Sequence, residues 1–405
     1  MATATQASSA ATIDLFDKYV VPNYGRYPVA LVRGEGSYVW DAEGTRYLDL
    51  FPGWGCNLLG HCPEPVVQAV QEQIATLIHV PNTWYMEAQG RWAELLSERS
   101  FGGQAFFCNS GAEAIECALK IARRFHYGNG APERFRVLTF EGAFHGRTLT
   151  TIAAGGQPKH LEGFGPGVDG FDQAEFGDLK AAGQAIGPET AAIMVEPIQG
   201  EGGICTPPTG FLKGLRTLCD DNGMLLIFDE VQTGLGRTGR LFAHEWDGVE
   251  PDVMALAKGL GGGFPIGACL ATNAAGEFMT PGTHGSTFGG NPLAMAVANA
   301  VLDVVLENGF LDQVRQIAGA LNQRLSGLVA AYPGVFAEVR GTGLLIGLRC
   351  EVPNADVIEA ARAHGLLLAP AGDNVARLLP PLIVGEREVE EAIGILETVC
   401  KELGS

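Results

Sequence analysis

Short apolar runs separated by helix-length segments constrain this 405-residue chain more than any other feature. Segments 104–108, 136–140, 191–196, 225–229, 253–257 and 268–271 are of strand length and mostly apolar, with no alternation of polar and apolar positions. A strand with one wet face alternates, so runs of this kind belong to a sheet covered on both sides. The periodicity predicts helices over 64–78, 86–99 and 110 to about 125. The last opens on Ser110 as N-cap with Glu113 three positions on, a capping box. Strands and helices in alternation imply an α/β fold with a mostly parallel central sheet.

After Asn291-Pro292 the pattern changes. A helix over about 293–308, an amphipathic helix over 311–331 and strands near 335–349 and 377–379 frame a smaller α+β unit. Residues 29–50 read as a β-hairpin closed by an Ala-Glu-Gly turn. The expected division is an N-terminal segment, 1–58, packed with the small domain, a large domain over 59–295, and a C-terminal small domain over 296–405.

Composition narrows the partners. Hydrophobic content of 46% with 18% charged residues suits a large core, and a net charge of −19 argues against nucleic acid or an anionic membrane surface. No run approaches eighteen apolar residues, so no membrane span is expected. Residues 2–12 are small and polar without Lys or Arg, which suits a disordered tail better than a targeting signal. Nine cysteines without CxxC spacing read as reduced thiols of a cytoplasmic protein. His61-Cys62 lacks a second Cys/His cluster, so no metal site is expected.

Two of the apolar runs end in a charge that chemistry can use. Leu225-Leu-Ile-Phe ends in Asp229, and 29 residues on, Met254-Ala-Leu-Ala ends in Lys258, followed by Gly261-Gly-Gly263. Pyridoxal phosphate (PLP) chemistry requires such a pair. A lysine bonds the cofactor's aldehyde, and a carboxylate keeps the pyridine nitrogen protonated so that the ring can take up electrons. Phe107-Cys-Asn-Ser110-Gly111-Ala112-Glu113 runs from a strand end through a small-residue turn to a helix N-terminus, a setting for a phosphate. In Asp229-Glu230-Val231-Gln232, Gln232 can reach the phenolic oxygen of the same ring. Phe144 in Ala-Phe-His-Gly-Arg-Thr is placed to cover a ring face.

Arg147 and Arg377 are candidates for substrate carboxylates, because the planar guanidinium binds a carboxylate through two parallel bonds. Arg377 opens the apolar stretch Arg-Leu-Leu-Pro-Pro-Leu, where an unpaired charge is costly, and Glu201 is its candidate partner. Gly234-Leu-Gly236-Arg-Thr-Gly239 matches a dinucleotide fingerprint, but no helix opens at these glycines. A tight loop near the cofactor is the reading preferred.

At this point the chain resembles the class III (ω-amino acid) aminotransferases of PLP fold type I, the aspartate-aminotransferase-like fold. Its likeness is greatest to the acetylornithine enzymes among them. The likeness runs from Tyr24-Gly-Arg26-Tyr-Pro28 through Asn109-Ser-Gly-Ala-Glu-Ala114, Phe144-His-Gly-Arg-Thr-Leu149 and Glu196-Pro-Ile-Gln-Gly-Glu-Gly-Gly203. It continues through Phe228-Asp-Glu-Val-Gln-Thr-Gly-Leu-Gly-Arg-Thr-Gly239, Ala257-Lys-Gly-Leu-Gly-Gly-Gly263 and His284-Gly-Ser-Thr-Phe-Gly-Gly-Asn-Pro292 to Arg377-Leu-Leu-Pro-Pro-Leu382. The resemblance implies that Lys258 carries the cofactor and Asp229 pairs with its ring nitrogen. Val231 and Phe144 would sandwich the ring and Gln232 bond its phenolic oxygen, with Ser110 and Glu230 also at the cofactor. Gly111 and Ala112 would hold the phosphate, joined by Thr287 of a partner subunit, which makes the active form a homodimer with its site at the interface. Arg147, with Ser286 nearby, would bind the donor's carboxylate. Arg377 would take the α-carboxylate of glutamate, with Glu201 as its resting partner.

The implied reaction is a ping-pong exchange. An amino donor, N-acetylornithine, gives up its δ-amino group, and 2-oxoglutarate takes it and leaves as glutamate, with Lys258 moving the proton. Trp54 departs from the acetylornithine enzymes, which usually have a small or aliphatic residue there. It keeps ornithine, succinylornithine, succinyldiaminopimelate and 4-aminobutyrate open as donors. Ile115 and Val80-Pro81 are further departures, outside the catalytic core. An isomerase of the aminomutase type and a PLP-binding scaffold without turnover are the remaining readings. Arg377 and the closer likeness to the acetylornithine enzymes count against the isomerase, and intact Lys258, Asp229, Arg147 and Arg377 count against the scaffold.

Overall fold

A seven-stranded sheet organises the larger part of the molecule, for which a computed structural model describes residues 8–404. Its order across the sheet is Gln104–Cys108, Gly267–Ala271, Val253–Leu256, Leu225–Asp229, Thr190–Val195, Arg136–Phe140 and Phe171–Ala174. Gly267–Ala271 runs against both of its neighbours, and the pairings among the five strands beyond it are all parallel. Every residue of Thr190–Val195, Leu225–Asp229, Val253–Leu256 and Gly267–Ala271 is buried, as their unbroken apolar character requires. Helix Gly111–Gly128 covers one face through Ala114, Ala118, Ile121 and Ala122. Helix Phe211–Asn222 covers the other through Phe211, Leu215 and Cys219.

The N-terminal portion differs from the single hairpin expected. Leu31–Glu35, Tyr38–Asp41 and Arg46–Asp49 form two successive antiparallel pairings, because Gly36 takes a left-handed φ of 57° and turns the chain after Glu35. The parallel strand Leu366–Leu367 adds to the far edge, pairing Leu366 with Leu48. A second four-stranded sheet contains Phe336–Thr342, Leu345–Cys350, Val375–Leu378 and Ala369–Ala371, all antiparallel. Helix Pro292–Val305 is buried along most of its length and joins both regions in one core, with Met295, Val297 and Val301 inaccessible.

The expected tail through Thr12 is corrected over its described part. Residues Ser9–Tyr19 are helical, capped by Ser8, and Ser9 N–H donates to Glu43 Oε1 at 2.8 Å. The Gly234–Gly239 stretch is indeed loop, but it does not line the cleft. Arg237 is buried under the second sheet and donates to the Leu344 carbonyl at 3.2 Å and the Pro380 carbonyl at 2.5 Å. Among the described residues no single helix is long and apolar enough to cross a membrane. None of the nine cysteines is disulfide-bonded.

Candidate active site

Carboxyl ends of parallel strands are where α/β sheets place ligands, and here they open into a cavity of about 310 Å³. Lys258 and Asp229 line it together with Ser110, Gly111, Ala112, Phe144, Val231 and Gln232, which lie far apart in sequence. Lys258 follows Val253–Leu256 by two residues and has a left-handed φ of 44°, a strained position that turns its side chain out of the strand line. Its amine has no hydrogen bond or ion pair among the described residues. Burial holds it below the ordinary lysine range, and the charge of Arg377 pushes the same way.

Asp229 is buried, and both of its oxygens are engaged. Val231 N–H donates to Oδ1 at 3.0 Å, and His145 Nδ1 lies 2.7 Å from Oδ2. A carboxylate only accepts, so Nδ1 carries the proton, and among the described residues His145 Nε2 has no partner. Burial alone would lower the His145 pKa, but the bond and charge of Asp229 raise it. Glu196 shares the cavity wall, and burial first, then Asp229, pushes its carboxyl up to about 8 against the pull of His145.

The phosphate end is built from helix Gly111–Gly128. Ser110 Oγ accepts from Glu113 N–H at 3.3 Å, while the Glu113 carboxylate accepts from Asn109 N–H at 2.9 Å, one residue before the cap. The N–H groups of Gly111 and Ala112, two residues that line the cavity, have no helical acceptor. A Cβ on Gly111 would stand 2.9 Å from Val231 Cγ1, so only glycine lets the helix start approach that wall.

Two arginines flank this cavity without lining it. Arg377 is inaccessible to solvent. It donates to Glu201 Oε1 at 2.8 Å, to Gln232 Oε1 at 3.3 Å and to the Pro370 carbonyl at 3.3 Å. Since Gln232 accepts through Oε1, its amide NH₂ is left for the cavity. The Arg377 guanidinium sits in a corner of two rings, 5.0 Å from Phe51 and 5.4 Å from Trp54, and its Nε has no acceptor among the described residues. Trp54 is half-exposed with φ of 60°, between Gly53 and Gly55 of the same hand. Arg147, by contrast, is exposed at the rim, 5.5 Å from the Phe144 ring.

Other predicted residues lie elsewhere. Glu230 is corrected: its carboxylate is sealed on the far side of the strand end, accepting from Thr233 Oγ1, Ala243 N–H and His244 N–H at 2.7–2.9 Å. Successive side chains of a strand point to opposite faces, which separates Glu230 from Asp229. Ser286 Oγ accepts from Asn109 Nδ2 at 3.3 Å, behind the phosphate turn, and Thr287 is exposed outside this cavity. Sequence reasoning missed His145, Glu196 and Cys56 as lining residues. The first two carried a signal, since each is a titratable side chain at or just beyond a strand end.

Comparison with known proteins settles the family. The sequence model for "Aminotransferase class-III" matches residues 19–400. The chain belongs to the class-III aminotransferases. Relatives of this aminotransferase include the acetylornithine aminotransferase of Mesorhizobium japonicum, 57% identical over 94% of this chain and 95% of the relative. That of Agrobacterium fabrum is 54% identical over 97% of both. Among solved structures, ornithine aminotransferase from Toxoplasma gondii superposes with a TM-score of 0.94 at 33% identity, covering 98% of this chain and 96% of that one. Acetylornithine aminotransferase from Elizabethkingia anophelis gives 0.87 at 32%, covering 98% and 100%. The protein is a PLP-dependent transaminase of fold type I.

The cavity fits that cofactor by its donor set. A buried lysine without a partner among the described residues, a buried carboxylate and a helix start would meet its aldehyde, ring nitrogen and phosphate respectively.

Proposed function

We propose that this aminotransferase moves the δ-amino group of N2-acetyl-L-ornithine to 2-oxoglutarate, giving N-acetylglutamate 5-semialdehyde and L-glutamate, a step of arginine biosynthesis. The observation that carries the reading is a pair of arginines, one buried and one exposed, each against a side chain that lines the cavity of Lys258. Arg377 is buried and already paired with a carboxylate, while Arg147 is exposed and unpaired among the described residues. Relatives named acetylornithine aminotransferase at 52–57% identity support the same substrates.

PLP supplies the electron sink that makes the carbon next to the amino group acidic. The chain's residues do the rest. Burial first, then the charge of Arg377, lowers the pKa of Lys258, which favours the neutral amine that would take the proton from the donor carbon and return it. Asp229 holds the ring nitrogen, oriented by His145 and by Val231 N–H. Phe144 and Val231 would enclose the ring, and Gln232 would offer its amide NH₂ to the phenolic oxygen. Gly111 and Ala112 would hold the phosphate with backbone N–H groups. Arg147 binds the donor's carboxylate. Arg377 exchanges Glu201 for the α-carboxylate of the keto acid.

The active form is read as a cytoplasmic homodimer in which Thr287 completes the partner's phosphate site. Exposed apolar side chains support that reading: Ile78, Trp84, Tyr85 and Phe288 lie on two segments joined by the Asn82 Nδ2 to Gly289 carbonyl bond of 2.8 Å, next to Thr287. A second donor, ornithine, is favoured by Trp54, whose aromatic ring beside Arg377 offers a contact that a small residue would not.

The test is visible absorbance of the purified protein with N-acetylornithine alone. The bound cofactor's yellow band should fade and return on adding 2-oxoglutarate. A yellow protein that ignores N-acetylornithine but responds to ornithine would transfer the assignment to the second donor.

A further inference from the structure

Strand register puts a second carboxylate beside Asp229. Val195 pairs with Phe228 in parallel, so the next residues out, Glu196 and Asp229, stand side by side at neighbouring strand ends and on the same face. Both are buried, at 6% and 4% exposure, and both line the cavity with Lys258. They clip consecutive residues of the loop after Arg136–Phe140. Phe144 N–H donates to Glu196 Oε2 at 3.3 Å, and His145 Nδ1 donates to Asp229 Oδ2 at 2.7 Å. Among the described residues Glu196 has no other hydrogen bond and no arginine or lysine partner, and the reading above gives it no task.

We propose that Glu196 is a positioning residue for the cofactor: as a neutral acid it fixes the Phe144–His145 segment against the ring, leaving Asp229 the sole anion beneath the ring nitrogen. The proposal rests on the reading that Phe144 and Asp229 meet that ring. Two adjacent buried carboxylates do not both ionise cheaply, and Asp229 has the stronger claim, with two donors on its oxygens. The charged and titratable groups around Glu196 are His145 on the loop, Asp229 and Lys258 on the neighbouring strand ends, and Cys205 on the turn that follows it. Its carboxyl is raised, so the pocket it supports is intact below the raised value and weakens as pH climbs through about 8. Above that, a second anion would repel Asp229 and draw the His145 proton away from it.

The experiment is titration of the full-length chain, stripped of cofactor, with PLP between pH 6.5 and 9.5, followed by protein fluorescence. Lys258 is present in every variant, so the difference between curves reports Glu196. Glu196→Gln keeps an acceptor for Phe144 N–H but cannot ionise. It should bind PLP within about threefold of wild type at pH 7 and lose less affinity than wild type above pH 8. Glu196→Ala orphans the Phe144 N–H and should bind roughly tenfold more weakly across the range. An alkaline decline in Glu196→Gln equal to that of wild type would overturn the proposal. So would a Glu196→Gln protein, folded by circular dichroism, that is as weak as Glu196→Ala at pH 7. A wild-type chain that binds no PLP would instead sink the cofactor reading beneath it.

Discussion

Arg377 and Arg147 each sit against a side chain lining the cavity that holds Lys258, yet the fold treats them differently. Arg377 sits in a buried strand, Val375–Leu378, with three acceptors and two aromatic rings around its guanidinium. Arg147 sits at the cavity rim on a loop, exposed, against the Phe144 ring and with no ion pair among the described residues. A buried guanidinium is tolerable only with a partner, so the Arg377 side must hold a carboxylate at all times, that of Glu201 or that of a substrate. The Arg147 side carries no such obligation, because water solvates the cation until a ligand arrives. One wall is therefore preorganised for a fixed ligand shape, and the other adapts to a longer or variable one. That asymmetry suits an enzyme that alternates between a small dicarboxylic acceptor and a longer amine.

The strongest test of a shared centre is Lys258→Ala. Both half-reactions should fall by at least ~10⁴-fold, since one group serves as covalent anchor and base for each. Stopped-flow absorbance of each half alone checks this, and a variant that lost only one half would mean the two walls do not share a lysine. Next comes the contrast between the walls. Arg377→Ala should raise the KM for 2-oxoglutarate by roughly 100-fold and lower stability by about 2–3 kcal/mol, because it strands Glu201 and Gln232 around a buried gap. Arg147→Ala should raise the donor KM by about tenfold and leave stability within about 0.5 kcal/mol. Thermal melts beside steady-state kinetics decide it: equal stability losses in the two variants would break the comparison.

Much of this arrangement is legible in the chain because it depends on local pattern. Leu225–Asp229 and Val253–Leu256 announce themselves by unbroken burial, and the charges at or after their ends mark the cleft. The edge strand Phe171–Ala174 is not legible in that way, since an edge carries Asp172 and Gln173 partly in solvent and the apolar run disappears. Long-range pairings are also silent. Nothing local tells Leu366–Leu367 to join Arg46–Asp49, or Ser9 to seek Glu43, and the latter contact is what orders a segment that reads as tail. Site residues divide along the same line. Asp229 and Lys258 can be named from their own surroundings, but the pairing of Glu196 with Asp229 needs the register of two strands. The misplacement of Glu230 shows the converse, that neighbours in sequence can be separated by the strand between their side chains.

The smallest predicted effect is the most specific to the asymmetry. Glu201→Gln keeps the size of the side chain and an acceptor for Arg377 Nη2, now 2.8 Å from Oε1, but removes the charge that competes with an incoming carboxylate. The Glu201 side chain is about a quarter exposed, at 26%, which limits the strength of the pair. The acceptor side should therefore gain, with the KM for 2-oxoglutarate falling about threefold. The donor side should lose by a similar factor, because an amine that brings no carboxylate to Arg377 now meets an uncompensated cation beside the lysine. Opposite shifts in the two half-reactions are what a resident carboxylate produces. If both KM values moved in the same direction, Glu201 would be a structural partner only, and the preorganised character of the Arg377 wall would have to come from Gln232, Pro370 and the two rings alone.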